Sequence, residues 1–142
     1  MERRDYLLTQ IQKLGQFLKI LIEKLLGKSS PLDFEQLVLQ NQEEFKEKCG
    51  FDMHLLAAPD FDELKHVVLE NDSYNSENVE LLADYMVLLA EKDLISPPTL
   101  LHRLRLNALQ LYEAMEIKEK TYSLERQKKI ADLRVKLEAK LF

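Results

Sequence analysis

The chain has 142 residues, of which 46% are hydrophobic and 32% charged, with three Gly, four Pro and a formal net charge of −5. This length suffices for one hydrophobic core, and the composition excludes disordered, fibrous and loop-rich proteins. The single cysteine, Cys49, cannot form an internal disulfide, which argues against a stapled secreted scaffold and favours the reducing cytoplasm.

The first predicted element is a long amphipathic helix over residues 1–27. Its leucine and isoleucine side chains recur at alternating intervals of four and three residues, which places them on one helix face. Phe17 and Ile20 fall outside that face, so the helix is more hydrophobic than packing on one side requires. We interpret it as an association helix whose predicted interface consists of Leu14, Phe17, Leu18, Ile20, Leu21 and Leu25.

The same segment lacks the pattern of an export signal or a membrane span. Lys19, Glu23 and Lys24 interrupt its apolar run, whereas a spanning helix needs about 20 apolar residues. The helix must therefore pack on its own domain, on a second copy or on another protein. We expect a homodimer in which the first helices of two chains meet, with Gly15 permitting close approach of their backbones.

Residues 28–142 are predicted to be a helical-hairpin domain that forms one compact domain with the first helix. Gly and Pro punctuation separates its helices, and Ser or Asp residues stand at the candidate N-caps. Ser30 is the expected cap of the second helix and Ser123 that of the last. The predicted helical segments cover residues 31–49, 53–57, 61–70 and 77–92, followed by one that starts at 98 and a last one after 123.

The predicted fold class is all-α, because no segment of useful length alternates in the manner of a β-strand. We expect about six helices in antiparallel hairpins, arranged as a tetratricopeptide-like or an irregular helical bundle. The fourth helix carries apolar residues on two faces, which predicts a position at the centre of the packing.

Charge is unevenly distributed along the chain. Residues 1–27 carry a net charge of +2, residues 28–97 carry −11 and residues 98–142 carry +4. An acidic middle between basic ends is consistent with end helices that pack beside the middle, where opposite charges help to set the register. The alternative is that these are solvated helix faces of unequal sign.

Arg126 is the charged residue that departs from its neighbours in the last helix. It falls inside the apolar arc, where a charge is costly unless it is paired. We predict a buried ion pair with Glu113 or Glu116, or with an acid of the middle segment, that fixes the hairpin; the alternative is a ligand or partner contact. For a one-to-one pair, Arg126→Leu should destabilise less than removal of the acid.

The sequence contains no complete catalytic or metal-binding motif. A di-iron bundle needs two Glu-x-x-His pairs, and Glu63 with His66 is the single one present. Cys49 and His54 have no recognised zinc spacing. The basic residues of the last helix alternate with acids, which is typical of a solvated helix and disfavours nucleic acid as a partner. We therefore expect no enzyme activity, metal or cofactor.

Two stretches resemble a known family. The opening "RRDYLLTQIQKLGQFLKILIEKLLG" and the closing "NALQLYEAMEIKEKTYSLERQKKI" are similar to an uncharacterised bacterial family, a domain of unknown function. The shared features are an Asp-Tyr-aliphatic helix and a Leu-Tyr-Glu element followed by Thr-aromatic-Ser-x-Glu-Arg. The resemblance implies an α-helical, tetratricopeptide-like domain and no assigned activity, so it carries over no functional residue.

These observations predict a non-enzymatic helical protein–protein interaction domain in the cytoplasm, which associates with itself through its first helix or binds another protein. The alternatives are a peripheral membrane-surface protein, a nucleic-acid-associated regulator and an enzyme of unrecognised type.

Overall fold

A computed structural model describes residues 3–120 and 122–139, and these residues form an all-α fold, as the sequence predicts. A short 3₁₀ helix, Met53–Ala57, lies between the second and third α-helices. Within the described ranges the β-structure amounts to one isolated bridge between Leu32 and Asp93. The α-helices are α1 (Arg3–Leu26), α2 (Phe34–Cys49), α3 (Phe61–Leu69), α4 (Ser76–Lys92), α5 (Pro98–Lys118) and α6 (Leu124–Ala139).

Side-chain caps mark where four of these helices begin, α2 and α6 among them. The hydroxyl of Ser123 accepts a hydrogen bond from the backbone N–H of Arg126 at 3.2 Å, which makes it the cap of α6 as expected. The prediction that Ser30 caps α2 is wrong. Asp33 caps α2 instead, and its carboxylate accepts from the N–H of Glu35 at 3.2 Å. The bridge from Leu32 to Asp93 holds the preceding segment extended, so the helix starts later.

Asp93 connects the start of α2 to the turn between α4 and α5. This buried carboxylate accepts backbone hydrogen bonds from Phe34 at 3.0 Å, Ile95 at 2.9 Å and Ser96 at 2.7 Å. Burial disfavours the charged form, but hydrogen bonds from Ser96 and from the backbone of Ile95 and Phe34 lower the pKa of Asp93 below its ordinary value. The ionised carboxylate therefore stabilises this junction.

Helix α4 lies at the centre of the fold, with α1 and α5 against it and α6 against α5. Its two apolar faces explain this position, because each face must be covered to leave water. Helix α2 reaches α5 through the 3₁₀ helix, whereas α3 contacts both the 3₁₀ helix and α5 directly. The fully buried leucine and methionine side chains are Leu18, Met53, Leu56, Leu64, Leu82, Met86, Leu89, Leu104 and Leu111.

Gly15 allows α1 to lie close to α4. A Cβ atom on this residue would stand 2.8 Å from the side-chain oxygen of Asn78. The amide nitrogen of Asn78 donates to the carbonyl of Ile11 at 3.0 Å and to that of Ser73 at 2.9 Å, so the side chain is held in place. The close approach expected of Gly15 therefore occurs inside the chain, against α4.

The contact between Gly15 and Asn78 predicts the sign of one substitution. Gly15→Ala should raise helix propensity by about 1 kcal/mol, but it displaces Asn78 and breaks buried hydrogen bonds. We expect a net loss of about 1–2 kcal/mol in the free energy of unfolding, measured by urea denaturation followed by circular dichroism.

The matched background for this experiment is Asn78→Ala, which removes the colliding oxygen. In that background Gly15→Ala should be neutral or stabilising by about 1 kcal/mol. The same loss in both backgrounds would show that Asn78 does not set the requirement for glycine.

Candidate interaction surfaces

The structure divides the predicted interface of α1 into two groups. Leu14, Leu18, Leu21 and Leu25 are buried in the core of the same chain, where each contributes about 1.5–3 kcal/mol. Their apolar surface is therefore already covered without a second chain. Phe17 is half-buried against the core, and Ile20 is 47% exposed. Of the predicted set, these two keep surface that a partner could cover.

Phe17 and Ile20 open into a cleft between α1 and the end of α2, here called the α1–α2 cleft. Its volume is about 570 Å³. Lys13 on the α1 side and Glu47 on the α2 side are both exposed, and neither makes an ion pair within the described part of the chain. The cleft is lined by Lys13, Phe17, Ile20, Glu47, Lys48 and Ser73, among others.

The opposite flank of α1 faces a second opening, the α1–α6 groove. This groove has a volume of about 320 Å³ and runs over α4. Its apolar lining includes Ile22 and Leu26 of α1, Val87 and Leu88 of α4, and Leu133 of α6. Helix α1 is thus held on α4 by its leucine stripe while both of its flanks remain open.

Arg126 lies at the centre of a buried charge cluster, and its side chain is 6% exposed. Its Nε donates to Glu80 at 2.8 Å, and its two terminal nitrogens donate to Glu116 and Glu119, each at 2.9 Å. Glu113, the other candidate from the sequence, pairs with Arg134 at 2.8 Å instead. The arginine therefore has three acidic partners, one on α4 and two at the end of α5, rather than one.

Lys129 extends the cluster along α4. Its ammonium group lies 3.0 Å from Glu80 and 3.1 Å from Asp84, and the hydroxyl of Tyr112 donates to Asp84 at 2.5 Å. Burial disfavours the ionised form of Glu80, but hydrogen bonds from Arg126 and Lys129 lower its pKa. Burial likewise opposes the charge on Lys129, but the charge of Asp84 and hydrogen bonds to both acids raise its pKa. The ion pairs of this cluster hold α6 against α4 and α5.

Glu80 and Glu119 are the partners that sequence reasoning did not name. The sequence does contain a signal for Glu80. Glu80 and Asp84 are four residues apart on α4, and Arg126 and Lys129 are three residues apart on α6, so each pair lies on one helix face. That spacing becomes informative only when the two helices are known to be neighbours.

The structure brings the histidines and the cysteine to separate places. His66 pairs with Glu70 on the surface of α3, and His54 lies beside Asp52 at the 3₁₀ helix. Burial raises the pKa of Cys49 to about 12, which keeps its thiol protonated at neutral pH. Residues 3–120 and 122–139 contain no group of three His, Cys, Asp or Glu side chains that could hold a metal ion. No helix of the described ranges is long and apolar enough to cross a bilayer.

The three partners of Arg126 reverse the sequence-based expectation for its substitution. Glu116→Gln leaves two carboxylates on the arginine, whereas Arg126→Leu leaves three partly buried carboxylates without their cation. We expect a loss of about 3 kcal/mol in the free energy of unfolding for Arg126→Leu and about 1 kcal/mol for Glu116→Gln. Urea denaturation at pH 7 measures both losses. A smaller loss for Arg126→Leu than for Glu116→Gln would contradict the arrangement with three partners and support a one-to-one ion pair.

The pKa shifts in the cluster predict how stability depends on pH. The lowered pKa of Glu80 means that its contribution is complete above its unfolded pKa of about 4.3 and is lost as the pH falls through the folded value. The raised pKa of Lys129 means that its contribution is complete below its unfolded pKa of about 10.4 and is lost as the pH rises through the folded value.

The Tm should therefore be nearly constant around neutral pH and should decrease both in acid and in alkali. Lys129→Met should reduce the alkaline fall without abolishing it, because it removes the titrating ammonium group but leaves the buried Cys49, Tyr74, Tyr85 and Tyr112, whose pKa values are also raised by burial. An alkaline fall of unchanged size in this variant would assign it to other groups.

Comparison with known proteins adds no assignment to these surfaces. No protein-family model, no curated protein and no solved structure matches the chain. The resemblance to an uncharacterised bacterial family therefore stays a prediction, and the candidate surfaces rest on their own geometry.

Proposed function

We propose that the chain is a non-enzymatic helical protein–protein interaction domain that associates with a second copy through the open flank of α1. The observation that carries this proposal is the α1–α2 cleft, where apolar side chains and unpaired charges stand together on a preformed surface. The buried Cys49 fits a domain that works in the reducing cytoplasm.

The apolar part of the cleft supplies the gain from association. Phe17 and Ile20 retain surface in the single chain, and covering such a side chain contributes on the order of 1.5–3 kcal/mol when its burial is complete. A two-fold arrangement counts every such contact twice, because the same patch is used on both copies.

The charges of the cleft favour a second copy as the occupant. Lys13 on α1 and Glu47 on α2 lack an ion-pair partner within the described residues. In a two-fold dimer that lays α1 of one copy along α2 of the other, each Lys13 faces the Glu47 of its partner. The contacts between Lys13 and Glu47 are therefore complementary across the axis, while Lys48, a second unpaired lysine of the lining, leaves the cleft with a net positive charge.

Light scattering coupled to size-exclusion chromatography tests the proposal at tens of micromolar protein. The wild type should run as a dimer, and Phe17→Asp with Ile20→Asp should run as a helical monomer. The matched control is Leu8→Asp with Leu26→Asp, which adds the same charge at two exposed positions on the opposite flank of the same helix. This control should remain a dimer.

Two results would contradict the proposal. One is a wild-type protein with the monomer mass of 16.7 kDa under these conditions. The other is a control variant that dissociates while the variant at Phe17 and Ile20 does not, because the association surface would then be the α1–α6 groove.

A charge exchange tests the pairing across the two-fold axis. Lys13→Glu should weaken the dimer because it places like charges opposite each other, and Glu47→Lys added to it should restore the dimer. A double variant as weak as the single one would show that these residues do not face each other.

A further inference from the structure

The α1–α6 groove exposes a side of the central helix that no helix of the described residues covers. Helix α4 packs against α1 and α5, while Val87 and Leu88 lie on its remaining side and are half-buried. These two side chains form the floor of the groove, between Leu26 of α1, which is 59% exposed, and Leu133 of α6. An apolar floor between two helical walls is the kind of site that receives the apolar face of an amphipathic helix.

The helices that border the groove run in the same direction. Gly15 of α1 meets Asn78 near the start of α4. Lys92 at the end of α4 donates to the carbonyl of Leu26 at the end of α1, at 3.3 Å. The ion pairs between α4 and α6 advance along both helices together, so α6 is parallel to α4 as well. A single helix can therefore lie lengthwise in the groove, with one end beside the C-terminal ends of α1 and α4.

The lysines that line the groove already have acidic partners. Lys129 lies 3.1 Å from Asp84. Lys136 forms an ion pair with Glu91. Asp132 also lines the groove, but it is exposed and makes no ion pair or hydrogen bond within the described part of the chain. Three carboxylates and two ammonium groups thus line the groove, which leaves it with a net negative charge.

Unpaired acids also stand on the outer edges of both walls. Glu125 precedes Asp132 by about two helical turns on the same side of α6. Glu23 follows Ile22 on the outer side of the α1 wall. Both glutamates are exposed and make no ion pair among the described residues. Lys128, an unpaired cation of α6 among those residues, lies farther round that helix and does not line the groove. A partner in the groove therefore meets carboxylates along both edges, which favours positive charge there.

We propose that the α1–α6 groove binds an amphipathic helix of another protein that carries lysine or arginine on both borders of its apolar stripe. The stripe covers Val87, Leu88 and Leu26. The basic side chains face Asp132 and Glu23. A second folded copy does not fit this description, because the basic helices α1 and α6 already bury their apolar stripes in their own core. The partner helix lies antiparallel to α4, which puts its positive N-terminal end beside the C-terminal ends of α1 and α4.

Fluorescence anisotropy tests the proposal with a labelled model helix and the full chain. The probe is a peptide of about 18 residues made of leucine, alanine and lysine, with leucines at i, i+3, i+4 and i+7 and lysines on both borders. One comparison peptide has glutamate in place of every lysine, and the other has the composition of the probe in an order that scatters the leucines. We expect saturable binding of the probe and at least about tenfold weaker binding of each comparison peptide. Equal binding of either one would overturn the proposal.

Two variants assign the binding to the groove. Asp132→Lys should lower the affinity for the probe at least about fivefold, because it places a like charge at the border. Its matched control is Glu138→Lys, which makes the same change of charge on the same helix at an exposed position outside the groove. Leu26→Gln should lower the affinity at least about threefold through lost apolar contact. Its control is Leu39→Gln, at a position on α2 that is 79% exposed. Both controls should stay within about twofold of the wild type.

Far-UV circular dichroism shows whether each variant remains helical, and all four positions are exposed. Wild-type affinity in either Asp132→Lys or Leu26→Gln would overturn the proposal. An equal loss in the matched control of either variant would do the same, because the binding would then not be located in the groove.

The result is separable from the proposed self-association, because the groove and the α1–α2 cleft share no residue. Phe17→Asp with Ile20→Asp should bind the probe at least as well as the wild type, whether or not the wild type is a dimer. A loss of binding in this variant would place the probe in the cleft and overturn the proposal. A wild-type dimer that dissociates on Leu26→Gln would identify a second copy as the occupant of the groove, with the same consequence.

Discussion

The packing of α4 between α1 and α5 positions the other elements of this fold. Apolar side chains on two faces of α4 require cover on both sides, and the leucine stripe of α1 provides one of the covers. Gly15 and Asn78 bring the two helices close, because a side chain at Gly15 would collide with the amide. Since α1 is held by this one stripe, its two flanks stay open, and the α1–α2 cleft and the α1–α6 groove follow from that geometry.

Electrostatics hold α6 in a position that its apolar stripe alone would not specify. The acids of α4 face the cations of α6 through Glu80 with Arg126, Asp84 with Lys129 and Glu91 with Lys136. The acidic middle segment and the basic C-terminal segment thus meet across a helix interface. Arg126 tolerates burial because three carboxylates surround it, and the partial exposure of those carboxylates limits the cost of bringing them together.

The proposed association surface combines two physical interactions. The flank of α1 offers apolar area and charges that are complementary across a two-fold axis, which suits a second copy of the chain. The α1–α2 cleft includes no residue of the Arg126 cluster, so variants in the cleft leave the attachment of α6 intact.

Local sequence determined the all-α class, the approximate extent of the helices, the cap at Ser123 and the burial of Arg126 within an apolar arc. Each of these depends on residues within one or two helical turns. The tertiary structure decided which acids surround Arg126, that Gly15 meets Asn78, and that Asp33 rather than Ser30 caps α2. These depend on which helices lie next to each other, and helical periodicity gives the face of a helix but not its neighbour.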